Sequence, residues 1–464
     1  MNVRLPHLIL FSALTGAGWF PAIRVEAQVQ APPAADDPLR LPETVLPGLQ
    51  PLIDAALEAS SRVLQARLAV LIAAAGEQDA RSGLYQHISA GAEIDGRQEF
   101  RQDIPGVHYS GSMAYSIGTV QPLYHWNALV NRAQIGAIQK QLADNDLTDA
   151  RRNLVVELRQ QYTALILRAL DLKQARWDDN RRTKQLQRDE DRAARGEVPT
   201  FDLGDERLAV SQSHLAVERL ALGWDRARGD FGVLIGTKTF AADKLPSEIP
   251  AVPDWSARLQ PADPAVGAGA GAPVPAALAS LAKAREVARL TYEIERVRLR
   301  PTLDLVAGAT ENLVSYTANT ANTFGAEIQY IGLRVNWNIF DGYQSQAAVA
   351  RARADLRVKN LDFDLAAQAL QRQLADGWKD LELAQRELAV MEARFAQSGS
   401  RLTADQARKD KAEIADEDWQ QRLFDHEQQH LDLLRARAAQ LLRIAEYALL
   451  NERGTLPADR LHYP

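Results

Sequence analysis

Apolar residues follow two different periodicities along this chain, and the two alternate. Residues 126–195 contain no proline and one glycine, Gly136, and their leucines recur at spacings of four and seven. This pattern is typical of a long coiled-coil helix, and a helix of this length would span about 100 Å. Gly196 and Pro199 then predict a reversal of the chain and a return helix over 199–235. The two segments together predict a long antiparallel helical hairpin.

The residues before this hairpin alternate between apolar and polar. Every second residue from Ile88 to Ile94 is apolar, which predicts a strand with one apolar and one polar face. A second candidate strand over 113–124 follows a polar loop and completes a predicted β-hairpin over 84–124. An alanine- and leucine-rich helix over about 50–81 precedes it.

The same order of elements recurs in the second half of the chain. Leu154 and Leu370 are separated by 216 positions, and so are Asp202 and Asp418. A constant offset across the long helix and its turn predicts an internal duplication of helix, β-hairpin, long helix and return helix. In the second copy the β-hairpin spans 303–340, the long helix 341–410 and the return helix 414–451.

The duplication divides the chain into segments. The predicted boundaries are a signal peptide over 1–27, a proline-rich N-terminal tether over 28–48, a first repeat over 49–240, a connector over 241–275, a second repeat over 276–453 and a C-terminal tail over 454–464. Arg4 and the short apolar run after it support the signal peptide and hence export, with an N-terminal anchor helix as the alternative.

The fourth predicted strand has one face that suits lipid. Ile331, Leu333 and Val335 lie on this face, whereas Arg334 and Asn336 lie on the other. Four strands cannot close a barrel around water, and open strand edges are not tolerated in lipid. Several chains are therefore predicted to share one barrel, with a soluble sandwich as the alternative. An aromatic girdle at the membrane interface is predicted from Tyr124, Trp126, Trp337, Phe340 and Tyr343.

Composition narrows the remaining possibilities. The chain has 464 residues, of which 46% are hydrophobic and 25% charged, and it has no cysteine. These values exclude a disordered chain and a small disulfide-stabilised domain. The net charge of −6 gives no general attraction to nucleic acid. No apolar run of roughly 18 residues follows the first thirty, so any membrane contact is predicted to come from strands.

One motif is typical of an enzyme. His426, Glu427 and His430 form an H-E-x-x-H sequence, in which two histidines on one helical face bind zinc and the glutamate acts as a general base. Glu446 or Glu452 could serve as a third ligand. The motif lies in the return helix of a long hairpin, away from any strand-built cleft. A polar coiled-coil face is the favoured interpretation, so we expect no catalytic residue, metal or cofactor.

Two segments of the second repeat resemble a known family. Residues 300–309, and residues 333–342 running into the alanine-rich helix 347–356, are similar to TolC-type outer-membrane efflux proteins. A degenerate copy at 120–126 has His125 and Trp126 in place of Asp-Gly. The resemblance covers about residues 50–453. It implies an α+β membrane protein that forms a homotrimer, in which four strands per chain build one twelve-stranded barrel and coiled-coil hairpins form a periplasmic tunnel.

The resemblance also implies a function. Family members are passive exit ducts of tripartite efflux or type I secretion systems, located in the outer membrane and extending into the periplasm. Their partners are a periplasmic adaptor (membrane fusion) protein, an inner-membrane pump and outer-membrane lipid. Nucleic acid is not an expected partner. The alternatives are a soluble periplasmic coiled-coil scaffold or adaptor and, more remotely, a zinc metallopeptidase.

The resemblance places the periplasmic entrance at the turns between long and return helices. The family pattern is a glycine followed six residues later by an aspartate, as in Gly196 and Asp202. In the second copy Ala412 replaces the glycine, Asp418 is retained, and Gln421 occupies the position of a further expected aspartate. Asp202 and Asp418 could instead only favour helix N-termini. The candidate entrance residues are Asp202, Asp416, Glu417 and Asp418, and the candidate adaptor contacts are Gly196, Val198, Ala412 and Ile414.

Overall fold

The computed structural model describes most of the chain between Leu41 and Asn451. The described ranges are 41–100, 106–197, 203–237, 240, 245–252, 255–259, 275–316 and 322–451. They lie within one compact unit, Leu39–Pro464. The predicted signal peptide and C-terminal tail lie outside these ranges, as do most of the tether and of the connector.

The elements follow the order predicted from the two periodicities. The helices are α1 (Pro42–Val45), α2 (Gln50–Ala59), α3 (Ser61–Ser82), α4 (Ala128–Ala194), α5 (Leu203–Leu234), α6 (Trp255–Arg258), α7 (Ala276–Arg296), α8 (Gln344–Asp410) and α9 (Asp416–Leu450). The strands are β1 (His87–Phe100), β2 (Val107–Tyr124), β3 (Thr302–Tyr316) and β4 (Asn322–Asn336). The α+β class with four strands is confirmed.

The two longest helices have the same length and equivalent bounds. Helices α4 and α8 each contain 67 residues, and both of their ends are separated by 216 positions. Each follows a residue with a left-handed backbone, Asn127 (φ 64°) in the first copy and Tyr343 (φ 69°) in the second. The chain therefore turns from sheet into long helix in the same way twice. Among the described helices, none is both long and apolar enough to cross a membrane.

The tether prediction is wrong for its last eight residues, 41–48. This segment contains α1, and both Leu46 and Leu49 are buried in the core. The Glu43 carboxylate accepts two hydrogen bonds, of 3.0 and 2.7 Å, from the Arg159 guanidinium on α4. Both charged side chains are at least 95% buried. Apolar burial and a paired charge thus fix the segment to the helices, although its proline content suggested an extended chain.

The helix predicted over 50–81 is interrupted once. Ser60 has an extended backbone (φ −65°, ψ 125°) and separates α2 from α3. Serine suits the position before a helix, although the Ser60 side chain makes no capping hydrogen bond here. The break lets α2 pack its buried residues, Ile53 among them, into the core below α3.

Equivalent aromatic pairs occupy the cores of the two repeats. The Tyr162 ring lies 6.1 Å from Phe231, and the Trp378 ring lies 5.7 Å from Tyr447. Tyr162 and Trp378 are 216 positions apart, and so are Phe231 and Tyr447. Trp255, from the connector, packs edge-on against Trp378 at 5.7 Å. Trp255 thereby brings the connector into the same buried core as residues of both repeats.

All four strands form one antiparallel sheet in the order β1-β2-β3-β4. Ile94 on β1 lies opposite Met113 on β2, which lies opposite Leu313 on β3. This register places apolar residues of neighbouring strands on one common face. In the described chain the outer edges of β1 and β4 have no strand partner.

The fourth strand ends four residues earlier than the predicted hairpin boundary at 340. Asn336 pairs with Thr302, which is the first residue of β3. Residues 337–340 therefore have no neighbouring strand residues to bond with. Trp337 and Phe340 lie beyond the sheet, in the connection to α8.

Candidate functional site

The end of α4 forms a helix-terminating motif built on glycine. Gly196 has a left-handed backbone (φ 76°), and its N–H donates to the Ala193 carbonyl at 2.9 Å. The Glu197 N–H donates to the Arg192 carbonyl at 3.0 Å. This pair of bonds defines a Schellman motif, which satisfies the last helical carbonyls and redirects the chain.

The end of α8 forms the same motif with alanine. The Ala412 N–H donates to the Lys409 carbonyl at 2.8 Å, and the Glu413 N–H donates to the Arg408 carbonyl at 2.9 Å. Ala412 has a φ of 59°, a conformation that costs an L-residue roughly 1–2 kcal/mol. Ala412 departs from the glycine of the family pattern in residue type but not in backbone geometry.

Asp416 joins three helices next to this second turn. Its carboxylate lies 3.1 Å from Lys409 Nζ on α8 and 3.4 Å from Arg188 Nη1 on α4. The hydrogen bond from Lys409 and its charge, with those of Arg188 adding to them, lower the pKa of Asp416 below its ordinary 3.8. A lowered carboxyl pKa stabilises the folded state above the unfolded pKa, and this contribution is lost only as the pH falls through the folded value.

The other acidic residues of this turn differ in their contacts. Glu417 accepts a hydrogen bond from Gln185 on α4. Asp418 is exposed, and within the described ranges its carboxylate has neither a hydrogen bond nor an ion pair. The structure therefore separates one uncompensated carboxylate, Asp418, from two that hold α9 against the first hairpin.

The remaining predicted entrance and adaptor residues have different exposure. Ala412 is exposed and Ile414 is buried, so Ile414 supports the turn from inside the chain. Asp202 and Val198 lie outside the described residues.

A row of side-chain contacts between α4 and α9, which the sequence analysis missed, continues above the turns. The Trp177 and Phe424 rings stack at 5.7 Å with planes 7° apart. Higher up, Arg435 donates to Asp171 at 2.7 Å. Both aromatic residues are visible in the sequence, but their pairing depends on the register between two helices far apart in sequence. These contacts lock the first hairpin to the second within one chain.

The apolar face of the sheet is exposed, and Glu311 and Glu327 interrupt it at the level of Tyr115. Its exposed large hydrophobic side chains, each between 55% and 78% accessible, include Ile88, Ile94, Ile117, Ile331, Leu333 and Val335. The opposite face is polar and includes Glu93, Asp95, Arg334 and Asn336. A single chain in water would leave this apolar face uncovered, which marks it as an interaction surface.

A small polar cluster on the opposite face was also missed. Asp304 is 7% exposed, and its carboxylate lies 2.8 Å from His125 Nε2 and accepts a hydrogen bond from Asn336 at 3.2 Å. His125 replaces the aspartate of the family pattern, which was visible in the sequence, but its partner 179 positions away was not.

The predicted girdle aromatics gather at the end of the sheet that faces the helices. Tyr124 and Trp126 pack edge-on at 4.9 Å, and Phe340 and Tyr343 do so at 5.4 Å. Trp337 is 61% exposed. Their shared position at one end of the apolar face supports, as a hypothesis, a role at a membrane interface.

The histidines of the H-E-x-x-H motif make packing contacts with neighbouring side chains. The imidazoles of His426 and His430 stack on the Phe395 ring at 4.9 and 5.0 Å. His426 Nδ1 is also hydrogen-bonded to Ser398 Oγ at 2.5 Å. Within the described ranges no three His, Asp or Glu side chains lie close enough to hold a metal ion. Glu446 bonds Gln160 instead, and Glu452 lies outside the described residues.

Comparison of the sequence with protein families and with curated proteins gave no match. Solved structures match over nearly the whole chain. The outer-membrane protein VceC of Vibrio cholerae is 14% identical, with a TM-score of 0.64, and the match covers 86% of this chain and 95% of VceC. The CmeC outer-membrane channel of Campylobacter jejuni is 12% identical, with a TM-score of 0.67 and coverage of 96% and 94%.

A third match is the open state of the MtrE outer-membrane channel of Neisseria gonorrhoeae. It is 14% identical, with a TM-score of 0.64 and coverage of 87% and 89%. The fold of this chain is therefore that of these outer-membrane proteins, and the predicted resemblance to TolC-type proteins is confirmed at the level of the fold.

Proposed function

We propose that this chain forms a homotrimeric channel in the outer membrane, with its long helices extending into the periplasm. Three copies of the four-stranded sheet close one twelve-stranded barrel, and the helical hairpins continue it as a coiled-coil tunnel. The polar sheet face lines the lumen and the apolar face contacts lipid. Tyr124, Trp126, Trp337, Phe340 and Tyr343 form the girdle at the periplasmic side of the barrel.

The observation that carries this proposal is an exposed apolar face combined with two sheet edges that have no strand partner among the described residues. In water the face is unfavourable, and in lipid each unpaired backbone group at an edge costs several kcal/mol. Insertion into lipid covers the apolar face, and pairing β1 of one chain with β4 of the next satisfies the edges. The likeness to the outer-membrane channels CmeC and MtrE supports the same arrangement.

The channel is a passive exit duct. We infer that it serves a tripartite efflux or type I secretion system, with drugs, other small molecules or secreted proteins as cargo. Its partners are an inner-membrane pump and a periplasmic adaptor, which contacts the turns at Gly196, Val198 and Ala412, while the buried Ile414 supports the second turn. Asp202, Asp416, Glu417 and Asp418 surround the entrance, and the three copies of Asp418, which is exposed and has no partner in the described chain, favour cations.

Cell fractionation tests the proposal directly. We expect the full chain in the outer-membrane fraction, extracted only by detergent and migrating as a trimer that dissociates on heating in SDS. Planar bilayers that receive this trimer should show ion-conducting steps. Recovery of a monomer in the soluble periplasm would contradict the proposal and favour a coiled-coil scaffold or adaptor.

Two substitutions at the entrance should have different effects. Asp418→Asn is expected to lower the cation preference of the open channel, because its carboxylate is exposed and unpaired in the described chain. Asp416→Asn is the matched control, since Lys409 and Arg188 already offset the Asp416 charge. It should mainly weaken the closure of the entrance and raise the frequency of opening.

Reversal potentials measured in a salt gradient separate the two results. Equal cation preference in Asp418→Asn and the unsubstituted channel would assign Asp418 to the start of α9 and not to the entrance.

A further inference from the structure

The segment that joins α7 to β3 concentrates positive charge. Residues 296–301 read Arg-Val-Arg-Leu-Arg-Pro, and Arg296, Arg298 and Arg300 are all exposed. Among the described residues, the carboxylate in ion-pair distance of these arginines is that of Glu295, 3.4 Å from Arg298. Asp341 also interacts with Arg298, but its carboxylate accepts a hydrogen bond from the Ser345 N–H at 2.9 Å. The segment therefore keeps a net positive charge.

Two tryptophans hold this segment in place. The Trp126 indole N–H donates to the Pro301 carbonyl at 2.8 Å, and the Trp337 indole N–H donates to the Leu299 carbonyl at 3.1 Å. The Arg300 guanidinium stacks on the Trp126 ring, 4.5 Å from its centroid. The backbone and one guanidinium are thus fixed before any ligand arrives, which lowers the entropic cost of binding.

The arginines lie where the apolar face of the sheet ends. Tyr124 pairs with Leu303, which belongs to the apolar face, and Tyr124 packs against Trp126. Trp337 directly follows the end of β4 at Asn336 and is 61% exposed. A cationic segment directly at the end of a lipid-facing surface is at the level of the lipid phosphates.

We propose that residues 296–301 bind the phosphate head groups of anionic phospholipids in the periplasmic leaflet of the outer membrane. This inference rests on the membrane insertion proposed above. Guanidinium groups bind phosphate oxygens through paired N–H donors, and the fixed Arg300 orients the first of these contacts. The neighbouring aromatic side chains pack against the glycerol and upper acyl region.

The first repeat provides a natural comparison. The equivalent connection joins α3 to β1, and Arg81, in the last turn of α3, is the one basic residue of 80–86. Arg81 is already paired with Glu77 at 2.7 Å. Each chain therefore has one lipid site, which gives three around the trimer.

Lipid retention measures the proposed binding. The trimer is reconstituted in nanodiscs containing equal amounts of phosphatidylglycerol and phosphatidylethanolamine, extracted into detergent, and its bound lipid is quantified by mass spectrometry. We expect phosphatidylglycerol to be enriched, and the triple variant Arg296→Gln/Arg298→Gln/Arg300→Gln to reduce that enrichment. The expected loss is about fivefold for each arginine removed, the factor for one basic residue near an anionic surface. Arg81→Gln should retain the original enrichment.

The outcomes distinguish this inference from the proposed function. If the chain fails to enter the nanodiscs, the channel proposal is wrong. If the trimer inserts and conducts while the triple variant retains as much phosphatidylglycerol as the Arg81→Gln control, the lipid site alone is wrong. Should the triple variant fail to assemble, the single variants Arg296→Gln and Arg298→Gln are tested instead. Both keep the contact between Arg300 and Trp126.

Discussion

Arginine in place of Ile94 is expected to prevent assembly of the chain in the outer membrane. Ile94 lies near the middle of β1, and its side chain is 76% exposed on the apolar face. An arginine facing lipid near the bilayer midplane costs about 2–4 kcal/mol per strand, and a trimer would carry three. We expect the heat-dissociable trimer to be lost from the outer-membrane fraction and the chain to be degraded or aggregated.

The residue next to Ile94 provides the matched control. Glu93→Arg places the same side chain one position away, on the polar face that we assign to the lumen. This variant should assemble normally and change only the conductance and ion preference in planar bilayers. Normal assembly of Ile94→Arg, or equal loss of assembly in both variants, would contradict the assignment of the two faces.

Alanine in place of Glu43 is expected to cause the largest loss of stability in the helical part of the chain. The Arg159 side chain is 3% exposed, and its guanidinium donates two hydrogen bonds to the Glu43 carboxylate. Removing the carboxylate leaves a buried, unpaired positive charge, which costs about 3–5 kcal/mol. The free energy of unfolding should fall by this amount, measured from the loss of helical circular dichroism in guanidinium chloride.

A double substitution tests the physical cause. Glu43→Leu/Arg159→Met removes both charges and replaces them with apolar side chains of similar size. We expect its free energy of unfolding to lie within about 1 kcal/mol of that of the original chain, or to exceed it. Removing both charges also removes the cost of desolvating the pair. Equal destabilisation of the single and double variants would mean that the loss comes from packing and not from an uncompensated charge.

The two repeats show which structural features the sequence patterns predicted. The offset of 216 predicted two equal long helices, and the structure gives both of them 67 residues. Alternation between apolar and polar residues predicted which side chains share a sheet face, because strand geometry has a fixed period of two. These features are local and periodic, so a single sequence contains them.

Features that depend on partners far apart in sequence were missed or misplaced. The end of β4 is set by where β3 begins, and so the strand stopped at Asn336 and not at 340. The proline-rich segment at 41–48 is held by Arg159, more than a hundred residues away. The stacked pair of Trp177 and Phe424 required the register between two helices of different repeats.

The sequence by itself determined the duplication, the lengths of the long helices and the two faces of the strands, since each follows from a repeating pattern of side chains. Only the tertiary structure decided which charges are neutralised. It paired Asp416 with Lys409 and Arg188 and left Asp418 exposed without a partner in the described chain. The physical reason is that an ion pair depends on distances of a few ångströms between separate helices.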